Sequence, residues 1–210
     1  MSEMYEPSLQ TLVDIAAEHG IPPHVHFTQW HVMADAQFDA LLTIGLKPEH
    51  ALLDMGCGMG RLATKTVQYL AAGHYAGIDG DEIYIGICRH LLEPVNKPFQ
   101  LLFNRDFEFE RFGMMFDYGI AQSVFTHLSD AQVTLCIKNL KAVMQKGARF
   151  LFTYIPQTLP IGFVYEGSYP MLHPTHQDAG FFAAQAENHG IKFQDLDIPH
   201  PSQRWAELVF

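Results

Sequence analysis

The sequence is short of positive charge, of cysteine and of long apolar runs, and each shortage removes a class of function. Thirteen Lys and Arg stand against 23 Asp and Glu, a formal charge of −10, and no stretch gathers the basic residues into a stripe. Clustered Lys and Arg supply the affinity for a phosphate backbone, so the expected partner is a small molecule and not a nucleic acid. The three cysteines, Cys57, Cys88 and Cys136, lie far apart and form no CxxC pair. That argues against zinc and thiol exchange and leaves reduced, buried thiols. A bilayer span needs a run of about eighteen apolar residues, and none is present. The first ten residues, MSEMYEPSLQ, have neither the basic start nor the apolar stretch of a secretory leader. A cytoplasmic protein with no membrane partner is the expectation.

What is there is 210 residues, 48% hydrophobic and 17% charged, enough for one well-filled core. No internal repeat, low-complexity tract or interdomain linker is visible. A single domain over 1–210 is expected, with a helical cap (1–47), a core (48–155), a lid (156–177) and a closing helix and hairpin (178–210). In residues 7–20, Leu9, Leu12, Val13 and Ala16 share one helical face, and Gly20 and Pro22 end it. Residues 21–34 are aromatic, histidine-rich and aperiodic. A second helix is expected over 35–45, with Phe38, Leu41 and Leu42 inward.

From residue 50 short apolar runs alternate with helical stretches. Strands are read at 51–55, 74–79, 99–104, 116–123 and 149–155, and helices at 61–72, 81–93 and 130–144. Continuous apolar strands are buried on both faces, and the helices between them make right-handed crossovers. A helix at 178–190 leads into two strands, 191–198 and 204–210, read as an antiparallel hairpin. The expected fold is α/β: a doubly wound, mostly parallel seven-stranded sheet with helices on both faces.

The turn after the first core strand carries the functional signal. Residues 52–63 read LLDMGCGMGRLA. No GxxxxGK[ST] follows to grip phosphates, and the spacing is GxGxG, where a dinucleotide fingerprint needs GxGxxG. Gly56, Gly58 and Gly60 let backbone approach a ligand. Asp54, just before them, repels a pyrophosphate and suits an ammonium or sulfonium. The ligand so described is a nucleoside bearing an amino acid.

LLDMGCGMGR resembles the first motif of the class I S-adenosylmethionine-dependent methyltransferases, and three further segments follow in the family's order: GIDGDE (77–82), NRDF (104–107) and FDYGIAQSVFTHL (116–128). The resemblance, to the small-molecule branch of that family, implies S-adenosyl-L-methionine as cofactor. It implies that Gly56, Cys57 and Gly58 present backbone to its amino-acid portion and ribose, with Asp54 near the ammonium. Asp79, beside Gly80, would chelate both ribose hydroxyls, Asp106 and Phe107 would flank the adenine, and Gln122 and Ser123 would line the floor. Each acid also has a plain reading, Asp54 as a helix cap, Asp79 as a turn residue and Asp106 as solvated. HPSQRW (200–205) resembles a closing-hairpin string of some methyltransferases and is read as structural.

Methyl transfer from a sulfonium is an in-line displacement, and a hydroxyl acceptor also needs a base. Among twelve histidines, His127 stands directly after the fourth strand, while His173 and His176 ride on the lid. A structural cap is an equal reading of His127. His24 and His26, in HVH, lack a third ligand of matching spacing, so no metal site is expected. Trp30, Tyr165 and Tyr169 would wall the cofactor and acceptor pocket, or simply pack. A homodimer is compatible with the exposed N-terminal helix. Two other functions stay open: a cyclising or decarboxylating enzyme on the same cofactor site, and a non-catalytic binding protein.

Overall fold

The structure is a computed structural model that describes residues 5–21, 27, 29–157 and 177–210. The chain divides into two compact units, residues 1–105 and 106–210. Its seven strands follow the order β3-β2-β1-β4-β5-β7-β6 in one sheet.

The first unit runs α1 (Leu9–Glu18), α2 (Trp30–Thr43), β1 (Leu52–Met55), α3 (Ala63–Tyr69), β2 (Tyr75–Asp79), α4 (Glu82–Leu92) and β3 (Gln100–Phe103). The three strands are parallel, β2 between β1 and β3. Ser8 starts α1 by accepting from Thr11 N, and Asp81 starts α4 by accepting from Ile83 N and Tyr84 N. The buried face of α1 is Leu12, Ile15 and Ala16, packed with Trp30, Ile87 and Leu91. Leu9 is 49% exposed, so the face expected from the sequence is turned toward Ile15.

The second helix begins at Trp30, inside the stretch read as aperiodic. Its buried residues are Trp30, Met33, Ala34, Gln37, Ala40 and Leu41, spaced as one helical face. Gln37 sits on that face, which breaks the apolar pattern. Phe38 is only half-buried, edge-on to Tyr69, and Leu42 lies outward. The segment before α1 is tied to α3: Lys65 Nζ, nearly buried, is 2.7 Å from both Glu6 Oε1 and Asp35 Oδ1, and Tyr5 exchanges hydrogen bonds with Gln68.

The second unit runs β4 (Phe116–Ala121), α5 (Asp130–Val143), β5 (Met144–Tyr154), α6 (Ala179–His189), β6 (Lys192–Asp195) and β7 (Arg204–Val209). A capping box of Ser129 and Gln132 starts α5. β4 and β5 are parallel, and β7 runs antiparallel to both of its neighbours, β5 and β6. The expected closing hairpin is therefore present, with its second strand inserted against β5. Arg149 on β5 holds the buried Glu207 of β7 through Nε and a terminal nitrogen, at 2.6 and 2.7 Å. Such a two-pronged pair compensates a carboxylate that burial alone would disfavour. Among the described residues no helix is long and apolar enough to cross a membrane.

Phe150 lies over β4 opposite Gly119, its register partner. A Cβ at Gly119 would come 2.2 Å from the Phe150 ring, which is fully buried against Phe125. Gly119→Ala should therefore lower stability by about 1–3 kcal/mol, the usual cost of overpacking a filled core. Urea unfolding of the variant, with and without Phe150→Leu, checks this. The second change should recover part of the loss, and equal stability of Gly119→Ala and wild type would contradict the packing account.

Candidate functional site

In the first unit the glycine turn is held by the end of the neighbouring strand. Gly56 N and Cys57 N both donate to Ile78 O, at 2.8 and 3.1 Å. Asp79 then closes the turn with its side chain: Oδ2 accepts from Gly58 N at 2.8 Å and Oδ1 from Asp81 N at 2.9 Å. One carboxylate thus fixes the loop after β1 and the start of α4, as its turn reading anticipates. Each oxygen keeps a lone pair for a further donor. Burial raises the Asp79 pKa, opposed by these backbone donors.

The three glycines do different things. All have positive φ, 71° at Gly56, 55° at Gly58 and 94° at Gly60, where an L side chain is strained. A Cβ at Gly60 would be 2.7 Å from Cys88 Sγ on α4, so the third glycine lets the loop close on the core. A Cβ at Gly58 would meet nothing within 4 Å. Bare backbone beside free volume is therefore found at the middle glycine. Gly80 follows on an exposed corner, its carbonyl accepting from Arg105 Nε at 2.8 Å.

Asp54 is 5% exposed, and its Oδ2 accepts the Tyr75 hydroxyl at 2.7 Å. Burial pushes its carboxyl up to about 7, with the Asp79 charge adding to the rise and the Tyr75 hydrogen bond and Arg61 opposing it. Burial likewise lowers the Arg61 guanidinium to about 10 while Asp54 pulls it back up. Arg61 Nε donates to Gln37 Oε1 at 3.4 Å. Tyr75 and Gln37 carry no motif and are not singled out by sequence; each reaches the turn from another element. Cys57 is buried in contact with Cys88, a hydrogen bond between the two thiols and burial both raising its pKa, so it is an uncharged thiol at neutral pH. Trp30 is 2% exposed in the α1–α4 cluster, with its indole nitrogen buried and unpartnered.

In the second unit the expected residues form two groups. Asp106 is exposed and Phe107 is buried with a φ of 56°; their carbonyls accept from Asn139 Nδ2 of α5, at 3.4 and 3.0 Å. Gln122 and Ser123 leave the carboxyl end of β4. Ser123, at a φ of 59°, donates its N–H to Thr153 Oγ1 at 2.7 Å and accepts Gln203 Nε2 at 2.9 Å. His127 ends a 3-10 turn, Phe125–His127, half-buried; burial lowers its pKa, so the ring is neutral at pH 7 and able to take a proton. His173, His176, Tyr165, Tyr169, His24 and His26 lie outside the described residues. Among the described residues no group of three or more His, Cys, Asp or Glu is placed to hold a metal ion.

The parallel strands, crossover helices and antiparallel end, with a glycine turn leading out of the first core strand and an acid at the tip of the second, define an open α/β sheet of the doubly wound class. Residues 52–147 match a family model described as a methyltransferase domain. Three solved structures share the fold. Magnesium protoporphyrin IX methyltransferase (ChlM) from Synechocystis PCC 6803, with bound SAM, is 18% identical with a TM-score of 0.65, over 93% of this chain and 89% of that one. The DhpI–SAH complex is 12% identical with a TM-score of 0.66, over 98% and 96%. Phosphoethanolamine N-methyltransferase 1 from Haemonchus contortus, in complex with phosphoethanolamine and S-adenosylhomocysteine, is 13% identical with a TM-score of 0.65, over 96% of this chain and 49% of that one. Over residues 52–147 the chain thus matches a methyltransferase domain, where the first motifs lead one to expect it, and it shares the fold of these three solved structures. All three were solved with S-adenosylmethionine or S-adenosylhomocysteine bound.

The raised Asp54 pKa fixes a pH dependence. The folded state holds this proton up to about pH 7, whereas the unfolded chain releases it near the ordinary value of 3.8. The group's contribution to stability is thus full below the unfolded value and is lost as pH rises through the folded one. Asp54→Asn, which keeps the volume and cannot ionise, should gain on the wild type as pH rises from 5 to 8, by on the order of 1–3 kcal/mol. Thermal unfolding of both proteins across that range reads the difference. A constant gap would show that Asp54 does not titrate there.

Proposed function

We propose that the chain transfers a methyl group from S-adenosylmethionine to a small-molecule acceptor. The observation that carries this reading is the pair formed by Asp79 and Gly58: a carboxylate with lone pairs to spare beside a glycine whose missing side chain leaves free volume. Vicinal ribose hydroxyls suit such a carboxylate, which accepts from both. The donor set of the first unit is otherwise free of the lysine that phosphates need. Gly56, Cys57 and Gly58 offer backbone to the ligand, Gly80 shapes the corner beside Asp79, and Asp54, partly ionised near pH 7, balances the methionyl ammonium. Trp30 bounds this region on the first unit.

When bound, the sulfonium supplies an electrophilic methyl group. In the second unit Asp106 and Phe107 take the adenine, and Gln122 and Ser123 form the floor. His127 takes the proton of a hydroxyl acceptor, since burial keeps its imidazole neutral. His173 and His176 are alternative bases, and Tyr165 and Tyr169 are acceptor contacts on the same lid. The net charge of −10 favours a small acceptor over a nucleic acid. Incubation with methyl-labelled cofactor and an extract of small metabolites tests the reading directly: a labelled acceptor supports it, an altered but unlabelled one indicates another reaction at the same site, and no change indicates binding without turnover.

Calorimetry with S-adenosylhomocysteine should show saturable binding, weakened about tenfold or more in Asp79→Ala through loss of charge-assisted hydrogen bonds. Absence of binding by the wild type would overturn the cofactor assignment. His127→Ala should lower turnover of the labelled acceptor by about 10²-fold with cofactor affinity near wild type. Unchanged turnover there, with loss in His173→Ala or His176→Ala, would move the proton transfer to the lid. No loss in any of the three would indicate an amine or thiol that needs alignment alone.

A further inference from the structure

The string HPSQRW lies in residues 196–203 and the start of β7, and the structure gives it more than a turn to make. β7 is antiparallel to β5, and Arg204 pairs with Tyr154, so the chain entering β7 stands at the carboxyl end of β5. β4 ends alongside, with Ala121 paired to Phe152. Residues 200–203 are thereby carried to the edge where Gln122 and Ser123 leave β4, the edge at which open α/β sheets bind ligands.

Four contacts build a polar cluster there, all within the second unit. His200 Nδ1 accepts two backbone N–H groups, from Ser202 at 3.2 Å and Gln203 at 3.0 Å. An imidazole nitrogen that accepts carries no proton, so the neutral ring holds its hydrogen on Nε2. His200 Nε2 is 3.5 Å from the carboxamide nitrogen of Gln122. A half-turn of that carboxamide lets its oxygen accept from the ring. Gln203 in turn donates from Nε2 to Ser123 Oγ at 2.9 Å. With its nitrogen donating to Ser123, the carboxamide of Gln203 leaves its oxygen over.

Among the described residues that oxygen is buried without a hydrogen-bond partner. A buried carbonyl oxygen lacking a donor costs about 1–3 kcal/mol, so its persistence calls for a compensating use. Ser123 is held in a left-handed conformation by Thr153 on one side and Gln203 on the other, a strained backbone of the kind found where surroundings over-determine a functional position. Two independent features, an orphaned acceptor and a strained anchor, thus meet at one carboxamide.

We propose that Gln203 determines acceptor specificity. Its oxygen accepts a hydrogen bond from an O–H or N–H of the methyl acceptor, while Ser123 and His200 position it. Acceptors that carry such a donor, alcohols, phenols or amines, are selected over those that do not. This assignment rests on the methyl-transfer reading above. A site built to satisfy a buried acceptor discriminates strongly, because the wrong ligand leaves it unpaired.

The test uses the full chain labelled with nitrogen-15 glutamine and saturated with S-adenosylhomocysteine, saturation being measured first by calorimetry. The side-chain amide signal of Gln203 is assigned by its absence from Gln203→Leu. Phenol and its methyl ether anisole, which keeps the ring and oxygen but lacks the O–H donor, are the probes. Phenol should shift the Gln203 signal saturably while anisole leaves it in place, and Gln203→Leu should bind phenol about tenfold more weakly, near the level of anisole. Equal shifts with both probes, or none with either, would overturn the proposal while leaving the cofactor reading intact. Failure of S-adenosylhomocysteine to bind would remove both. Should Gln203→Leu fold poorly, Gln203→Glu, which also lacks the amide, supplies the assignment, and because it keeps an acceptor oxygen it should retain the preference for phenol.

Discussion

A single carboxylate holds the first unit's site together. Asp79 stands at the tip of β2 and receives one N–H from the glycine turn and one from the start of α4, so two loops from different crossovers share one anchor. Backbone N–H groups at turns need partners, and in an open α/β sheet they are usually found in a bound ligand or in water. Here a side chain supplies them in advance. The turn is therefore shaped before any ligand arrives, and the ordering cost of binding falls accordingly.

Behind that anchor lies a buried charge network whose members oppose one another. Burial and the Asp79 charge raise the cost of ionising Asp54, while Tyr75 and Arg61 lower it. Arg61 is itself kept above neutrality only partly by Asp54, because burial pulls the other way. The balance places one carboxyl near the neutral range, on the strand that leads into the glycine turn. In the second unit the contrast is plain: the Arg149–Glu207 pair is complete and two-pronged, and it joins strands.

Much of this was legible in the sequence, and the residues that were not share a cause. The strands of the core read true because burial on both faces writes continuous apolar runs. The start of α2 did not, because Gln37 occupies its buried face and an aromatic, histidine-rich lead-in hides the period. The turn glycines Gly56, Gly58 and Gly60 are read alike from the sequence, whereas the packing role of Gly60 depends on Cys88, on a helix no local pattern connects to it. Tyr75 and Gln37 escaped for the same reason: each acts on a residue more than twenty positions away, and nothing in its own neighbourhood marks it, while Gln203 stands in a string read as structural and reaches Ser123 only through the fold. The sequence named the carboxylates and glycines of the turn. The groups that tune them belong to the tertiary structure.

The ammonium of Lys65 offers a different view of the same turn. It is nearly buried on α3, the helix that the glycine loop feeds, and its counter-charges come from Asp35 and from Glu6 in the stretch ahead of α1. A buried cation stripped of half its partners is costly to keep in place. The leading end of the chain is thus not a passive overhang: its traction on Lys65 reaches the helix whose first turn frames the ligand loop. Fusion partners or affinity handles joined near Glu6 would bear on the ion pair it makes with Lys65, and so on the helix that follows the glycine turn.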